Sequence, residues 1–225
     1  MRPTSRPAAC TATLAATLAA ATLAGCGTPS ATVRTGDGRD VMLLGHDPVA
    51  YFTQGRPTRG DRALSGTVEG RTYWFATEAN RAAFAADPAR YEPQYGGFCS
   101  SGAAFAIKLG SDPTAWEIRD GRLFVFGDVI GHEMWKLDPA WNVAKADALW
   151  PQAKDVGWRW QSLRSYADKV PHYRTGAELM AEWRRRNPGR TLDYDPGGMV
   201  VNLFLKPPGW RAAEGFGQPA LGYPE

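Results

Sequence analysis

Aspartate followed by proline recurs at Asp87-Pro88, Asp112-Pro113 and Asp138-Pro139, and this pairing limits the fold more than any other local pattern in the chain. Aspartate caps a helix by accepting hydrogen bonds from its first unpaired amides, and proline, which has no amide hydrogen, is tolerated in the first turn. Each pair therefore predicts a helix start and short elements throughout. The helix from Asp138-Pro139 runs through Trp141, Ala144 and Ala148 to Trp150, with Pro151 as its stop. Thr77 is predicted to cap a segment through Ala79, Ala82, Ala83 and Phe84, and Ser100 to Leu109 reads as an Ala-rich helix.

Between the helices lie two hairpin patterns. Leu64 to Phe75 turns at Glu69-Gly70, and Trp116 to Phe126 turns at Asp120-Gly121, a strong two-residue turn signature. Trp116 and Ile118 alternate with polar residues, as on a half-buried strand. Hairpins and short helices without regular strand–helix alternation predict an α+β fold. No internal repeat is evident in the sequence. Nine tryptophans and 44% hydrophobic residues are ample for a packed core.

Past Pro151 the pattern becomes helical. Val156, Trp160, Leu163, Ala167 and Val170 mark one apolar stripe, ended by Pro171. Thr175 with Glu178 forms a capping box for a helix over Leu179, Met180 and Trp183, which ends at Asn187-Pro188-Gly189. Met199 to Leu205 has the composition of a strand, and Asp193 and Asp195 read as turn residues before Pro196-Gly197-Gly198. Arg184-Arg185-Arg186 complements the helix dipole, with anionic lipid headgroups as a further partner.

The first 25 residues carry Arg2 and Arg6, no acid, an apolar run and then Leu23-Ala24-Gly25-Cys26, the layout of an export signal. The final four residues resemble a bacterial lipobox, which implies that Cys26 is acylated and ties the chain to a lipid bilayer on the periplasmic side of the cell envelope. Residues 26–40 then read as a tether, 41–150 as the folded domain and 151–225 as an extension. Cys10 leaves with the signal, so Cys99 is the single thiol of the folded part. That count excludes an internal disulfide and any multi-cysteine metal site. Loss of Arg2 and Arg6 brings the net charge from +3 to about +1. Such a balance lacks the clustered excess of cations that nucleic acid requires.

Within the domain, Gly45-His46-Asp47-Pro48-Val49-Ala50-Tyr51-Phe52 is followed by Tyr73-Trp74-Phe75, Asp87-Pro88, Tyr91 and Pro93-Gln94-Tyr95-Gly96-Gly97-Phe98-Cys99. These phrases, with Lys145-Ala146-Asp147-Ala148-Leu149-Trp150-Pro151, resemble the exported branch of the YHS domain proteins. The resemblance implies a wider YHS group, related to metal-handling modules, that typically carries cysteines at the positions of Ala50, Ala76 and Asn80. None of these three side chains ligates a soft metal. The resemblance also implies thiol chemistry at Cys99, where some relatives carry selenocysteine.

Cys99 at the first turn of a helix would have its thiolate favoured by the dipole. Its alternative is a small buried apolar residue. Cys99, His46, His132 and Met134 together would make a copper or zinc site of soft sulfur and imidazole; the alternative is unrelated surface or capping histidines. His132-Glu133 lacks a second histidine at position 136, which is Lys136, so the zinc-hydrolase helix is absent. Nucleophile-elbow and dinucleotide-loop motifs are absent too. Trp158, Trp160, Trp183 and Trp210 could form a ligand platform, although aromatics at helical spacing more often form core. Three functions follow: a non-enzymatic envelope protein binding a thiophilic metal through Cys99, a thiol-dependent redox protein, or an interaction module with an inert Cys99.

Overall fold

The computed structural model describes residues 29–157 and 174–192. Cys10, Cys26, His172, Trp158, Trp160, Trp210, Asp193 and Asp195 lie outside those residues, as do the strand expected at Met199 to Leu205 and nearly all of the helix expected from Val156 to Val170.

Strand β1 (Thr32–Arg34) pairs antiparallel with β2 (Asp40–Met42), Val33 opposite Val41. Part of the expected tether is therefore sheet, because its charges cluster at the turn and leave the valines free to pack. Arg39 and Arg62 both reach Asp37, at 2.7 and 2.8 Å, while Val33 packs against Val41, Leu44 and Trp74. After a 3-10 turn at Leu43–Gly45, α1 (Pro48–Gln54) begins at the Asp47 cap. Strands β3 (Asp61–Val68) and β4 (Arg71–Phe75) form the first predicted hairpin and extend the sheet in the order β1-β2-β4-β3, with β2 and β4 parallel. Helix α2 (Glu78–Ala86) starts at the Thr77 cap, and α3 (Pro88–Tyr91) at Asp87-Pro88.

A second 3-10 turn, Gln94–Gly97, leads into α4 (Ser100–Ala103). Strands β5 (Asp112–Arg119) and β6 (Arg122–Phe126) form the second hairpin. Helices α5 (Val129–Trp135), α6 (Pro139–Ala153) and α7 (Gly176–Arg186) complete the described chain. Small sheets packed with helices make the class α+β, as expected. The Thr175–Glu178 capping box is present in full.

Three local expectations change. Asp112-Pro113 opens a strand instead of a helix: the Asp112 carboxylate accepts from the Thr114 amide and hydroxyl at 2.8 and 2.7 Å, and the edge strand tolerates proline. Helix α6 passes Pro151 and ends at Ala153, because the Lys154 amide still reaches Trp150 O at 2.9 Å and the Lys108 ammonium donates to the freed Lys154 and Val156 carbonyls. Helix α4 stops after four residues instead of reaching Leu109. Phe105 and Ile107 amides both turn back to Gly102 O, and Ala106 takes φ +55°.

The fold also holds an internal repeat that the sequence does not display. Strands Asp61–Val68 and Arg71–Phe75 recur 51 residues later as Asp112–Arg119 and Arg122–Phe126. Their registers match: Ser65 pairs with Trp74 after an irregularity following Asp61, and Trp116 pairs with Val125 after one following Asp112. The caps Thr77 and Asp128 correspond, as do Asp87-Pro88 and Asp138-Pro139. Upstream, Leu43, Leu44 and Gly45 have φ of 52, 50 and 75°, and Tyr95, Gly96 and Gly97 have 52, 61 and 76°. The parallel pairing of Val41 with Thr72 recurs at Pro93 and Leu123.

Few identities mark this repeat, chiefly Gly70-Arg71 with Gly121-Arg122, Phe75 with Phe126, and Asp87-Pro88-Ala89 with Asp138-Pro139-Ala140. What recurs is the burial pattern, since β4 and β6 both bury every residue after their first. Each unit has its own core, one around Tyr73, Phe75 and Phe84, the other around Phe124, Phe126 and Trp135. Tyr51 joins them: its hydroxyl donates to Pro113 O at 2.8 Å, and its ring meets Trp116 at 5.1 Å.

Candidate functional site

The repeat places two helix caps in equivalent positions. Asp47, with φ/ψ of −73/114°, precedes α1, and Cys99, with −53/115°, precedes α4. The amide of each donates to a carbonyl of the following loop, Asp47 to Thr58 O at 2.8 Å and Cys99 to Leu109 O at 2.9 Å. That loop is one residue shorter in the second unit.

Asp47 is fully buried. A buried carboxylate is stable only when donors replace its lost water, and four do. Oδ1 accepts from the Val49 and Ala50 amides at 2.8 and 3.3 Å. Oδ2 accepts from the Ala76 amide at 2.8 Å and from Asn80 Nδ2 at 2.6 Å. One side chain thus pins α1, the end of β4 and the start of α2. Ala50, Ala76 and Asn80, 26 residues or more apart in part, meet around this carboxylate and present no thiolate, so the residues do not fit the thiophilic metal that the resemblance implies.

The counterparts of Ala50, Ala76 and Asn80 are Gly102, Gly127 and Gly131. No side chain reaches towards Cys99 from these positions. A Cβ on Gly131 would lie 3.6 Å from Cys99 Sγ, in ordinary contact. The cysteine is 3% exposed and packs with Tyr95, Ala103, Phe124, Phe126 and Trp135. A single turn of helix has little dipole, so the expected support for a thiolate is weak.

The four nominated metal ligands are not gathered. His46 is buried, and its Nδ1 donates to Leu43 O at 2.9 Å. Burial, reinforced by the Arg59 guanidinium, pushes its pKa below the ordinary value. His132 Nε2 donates to Glu117 at 3.0 Å, its ring stacks on Phe126 at 4.4 Å, and burial lowers its pKa. Met134 packs with Met180 and Trp183. Among the described residues, no three or more His, Cys, Asp or Glu side chains form a metal-holding group. The two histidines are instead occupied by separate partners, Leu43 O and Glu117. Trp183 is core, with Nε1 donating to Glu133 at 2.9 Å.

The sequence reading missed a cavity of about 480 Å³ between α4, α5, α6 and α7, lined in part by Phe105, Trp135, Trp141, Asn142 and Leu179. Arg174 and Arg186 also line it. Arg186 donates to Leu137 O at 2.7 Å and pairs with Glu182, which Arg174 approaches at 3.9 Å and Arg185 also contacts. The arginine run therefore does more than complement the dipole. Its only sequence signal was the adjacency of three arginines to an amphipathic helix, which does not say what the helix covers.

Comparison of the chain with protein-family models, with curated proteins and with solved structures found no match.

Proposed function

We propose that this chain is a non-enzymatic lipoprotein of the cell envelope, held to a bilayer through acylated Cys26, whose folded part is a YHS-like binding and interaction module. Cys99 is a structural residue in this reading. The observation that carries it is the burial of Cys99 at 3% exposure within an aromatic core, where neither a metal nor an oxidant has access without local opening. The meeting of Ala50, Ala76 and Asn80 around Asp47 supports the resemblance to the YHS group, because three positions that carry cysteines there are neighbours here.

Two measurements test the reading. Native protein lacking residues 1–25 should react slowly with N-ethylmaleimide at Cys99, at a rate that rises with urea as the fold opens, and should hold no stoichiometric copper or zinc. One bound metal per chain that is lost in Cys99→Ser, or rapid native alkylation, would overturn it. For the anchor, Cys26→Ser should move the protein from the membrane fraction to the soluble one; continued membrane association would overturn the lipid tether.

A further inference from the structure

We propose that the cavity between α4, α5, α6 and α7 is a binding site for a small aromatic monoanion, a carboxylate or sulfonate. This inference rests on the reading of the chain as a binding module and names the class of ligand.

The first argument comes from the repeat. In the first unit, Phe52 of α1 meets Tyr91 edge-on at 5.3 Å. The counterparts of this aromatic pair are Ala104 and Asn142. The pair is not repeated there: Ala104 is fully buried, and Asn142 lines the cavity with its Nδ2 donating to Trp135 O at 2.9 Å. Its volume, about 480 Å³, is in the range that takes a small organic ligand.

The second argument is the chemistry of the walls. Phe105, Trp135 and Trp141 line the cavity, and the Phe105 and Trp141 rings pack on one another with centroids 5.9 Å apart and a 50° tilt, so they form one continuous aromatic wall. Charge then selects the sign. Arg174 and Arg186 line the same cavity, and Arg186 is held in place by Leu137 O and Glu182. Two carboxylates stand nearby. Asp138 lines the cavity while capping α6 through the Trp141 amide at 3.1 Å, and Glu182 is shared among Arg174, Arg185 and Arg186. The remaining balance is positive but small. It favours one negative charge, and the two carboxylates oppose a dianion such as phosphate.

The test uses 8-anilinonaphthalene-1-sulfonate and N-phenyl-1-naphthylamine, which share an aromatic body and differ in the anionic group. Titrated into the native protein lacking residues 1–25, the sulfonate should bind saturably at one site with blue-shifted emission, and more tightly than the neutral amine. Arg174→Ala, at a half-exposed position, should weaken sulfonate binding about fivefold and leave the amine and the urea midpoint unchanged. Leu179→Trp should block both probes. Non-saturable binding, equal affinities for the two probes, or wild-type sulfonate affinity in Arg174→Ala would overturn the proposal. These outcomes are independent of Cys99 alkylation and metal content, so failure of the inference and failure of the binding-module reading give different results.

Discussion

The two repeated units share strands, registers and caps but differ at the residue that precedes their first helix. In the first unit Asp47 gathers four hydrogen bonds from three separate elements. In the second, Cys99 is surrounded by apolar rings and faces glycine where Asn80 would stand. One backbone geometry thus tolerates a charged hub or a nearly apolar one, and the surrounding side chains decide which. The same contrast extends outward: the Phe52–Tyr91 ring contact of the first unit is replaced in the second by Ala104 and Asn142, and Asn142 stands at a cavity wall.

Replacing each hub should break the comparison most visibly. Asp47→Ala removes the acceptor of four hydrogen bonds, two of them buried, and should cost about 3–5 kcal/mol. Cys99→Ala strands no buried charge and removes one sulfur atom from an aromatic core, and should cost about 1–2 kcal/mol. Urea denaturation of both variants measures the difference; equal losses would show that the two caps are not the contrasting elements described above.

Lys108 gives the next effect, and it belongs to the second unit alone. Its side chain is 1% exposed, and burial pushes its pKa down to about 8 from 10.5. As pH rises from about 8 to 10.5, the folded chain releases this proton before the unfolded chain does. The unfolded state then binds more protons, so this group makes stability rise with pH, by an amount on the order of 3 kcal/mol. Below pH 8 the contribution is flat. Urea midpoints across pH 7.5 to 10.5 for wild type and Lys108→Met should differ in slope, the variant lacking the rise; parallel slopes would count against a buried ammonium.

The smallest effect concerns a feature the units share. Arg71 and Arg122, equivalent in the repeat, each grip a carboxylate that also accepts a tyrosine hydroxyl: Glu92 with Tyr73, and Asp147 with Tyr95. The Arg122 hydrogen bond, with help from Tyr95, holds Asp147 below its ordinary pKa. Its contribution is therefore present above the ordinary carboxylate range and is lost as pH falls through the lowered folded value. Because the pair is partly exposed, Asp147→Asn should cost about 0.5–1 kcal/mol at neutral pH and flatten the acid limb of thermal unfolding. A loss that persists undiminished at pH 2 would point to packing instead.

Much of the local structure was legible. Glu69-Gly70 and Asp120-Gly121 announce their hairpins because positive φ at two successive positions is required there, and the Thr175–Glu178 capping box needs only residues on one turn of helix. Ser100 to Leu109 was misread because Ala-rich composition favours a helix only until tertiary contacts compete, and here Gly102 and Leu109 carbonyls draw the chain into a tight loop. The role of Asp47 was illegible for a different reason. Its partners at positions 76 and 80 are fixed by where β4 ends, not by any spacing from position 47.

From sequence alone came the α+β class, the hairpin turns, most helix caps and the single cysteine among the described residues. All are properties of adjacent residues or of counting. Tertiary structure decided that Cys99 is buried and separated in its contacts from His46 and Met134, that an apparently unrepeated chain folds as two similar units, and that the second unit keeps a cavity. Those outcomes depend on which side chains from distant segments share one volume, and close packing is settled only when all of them are in place.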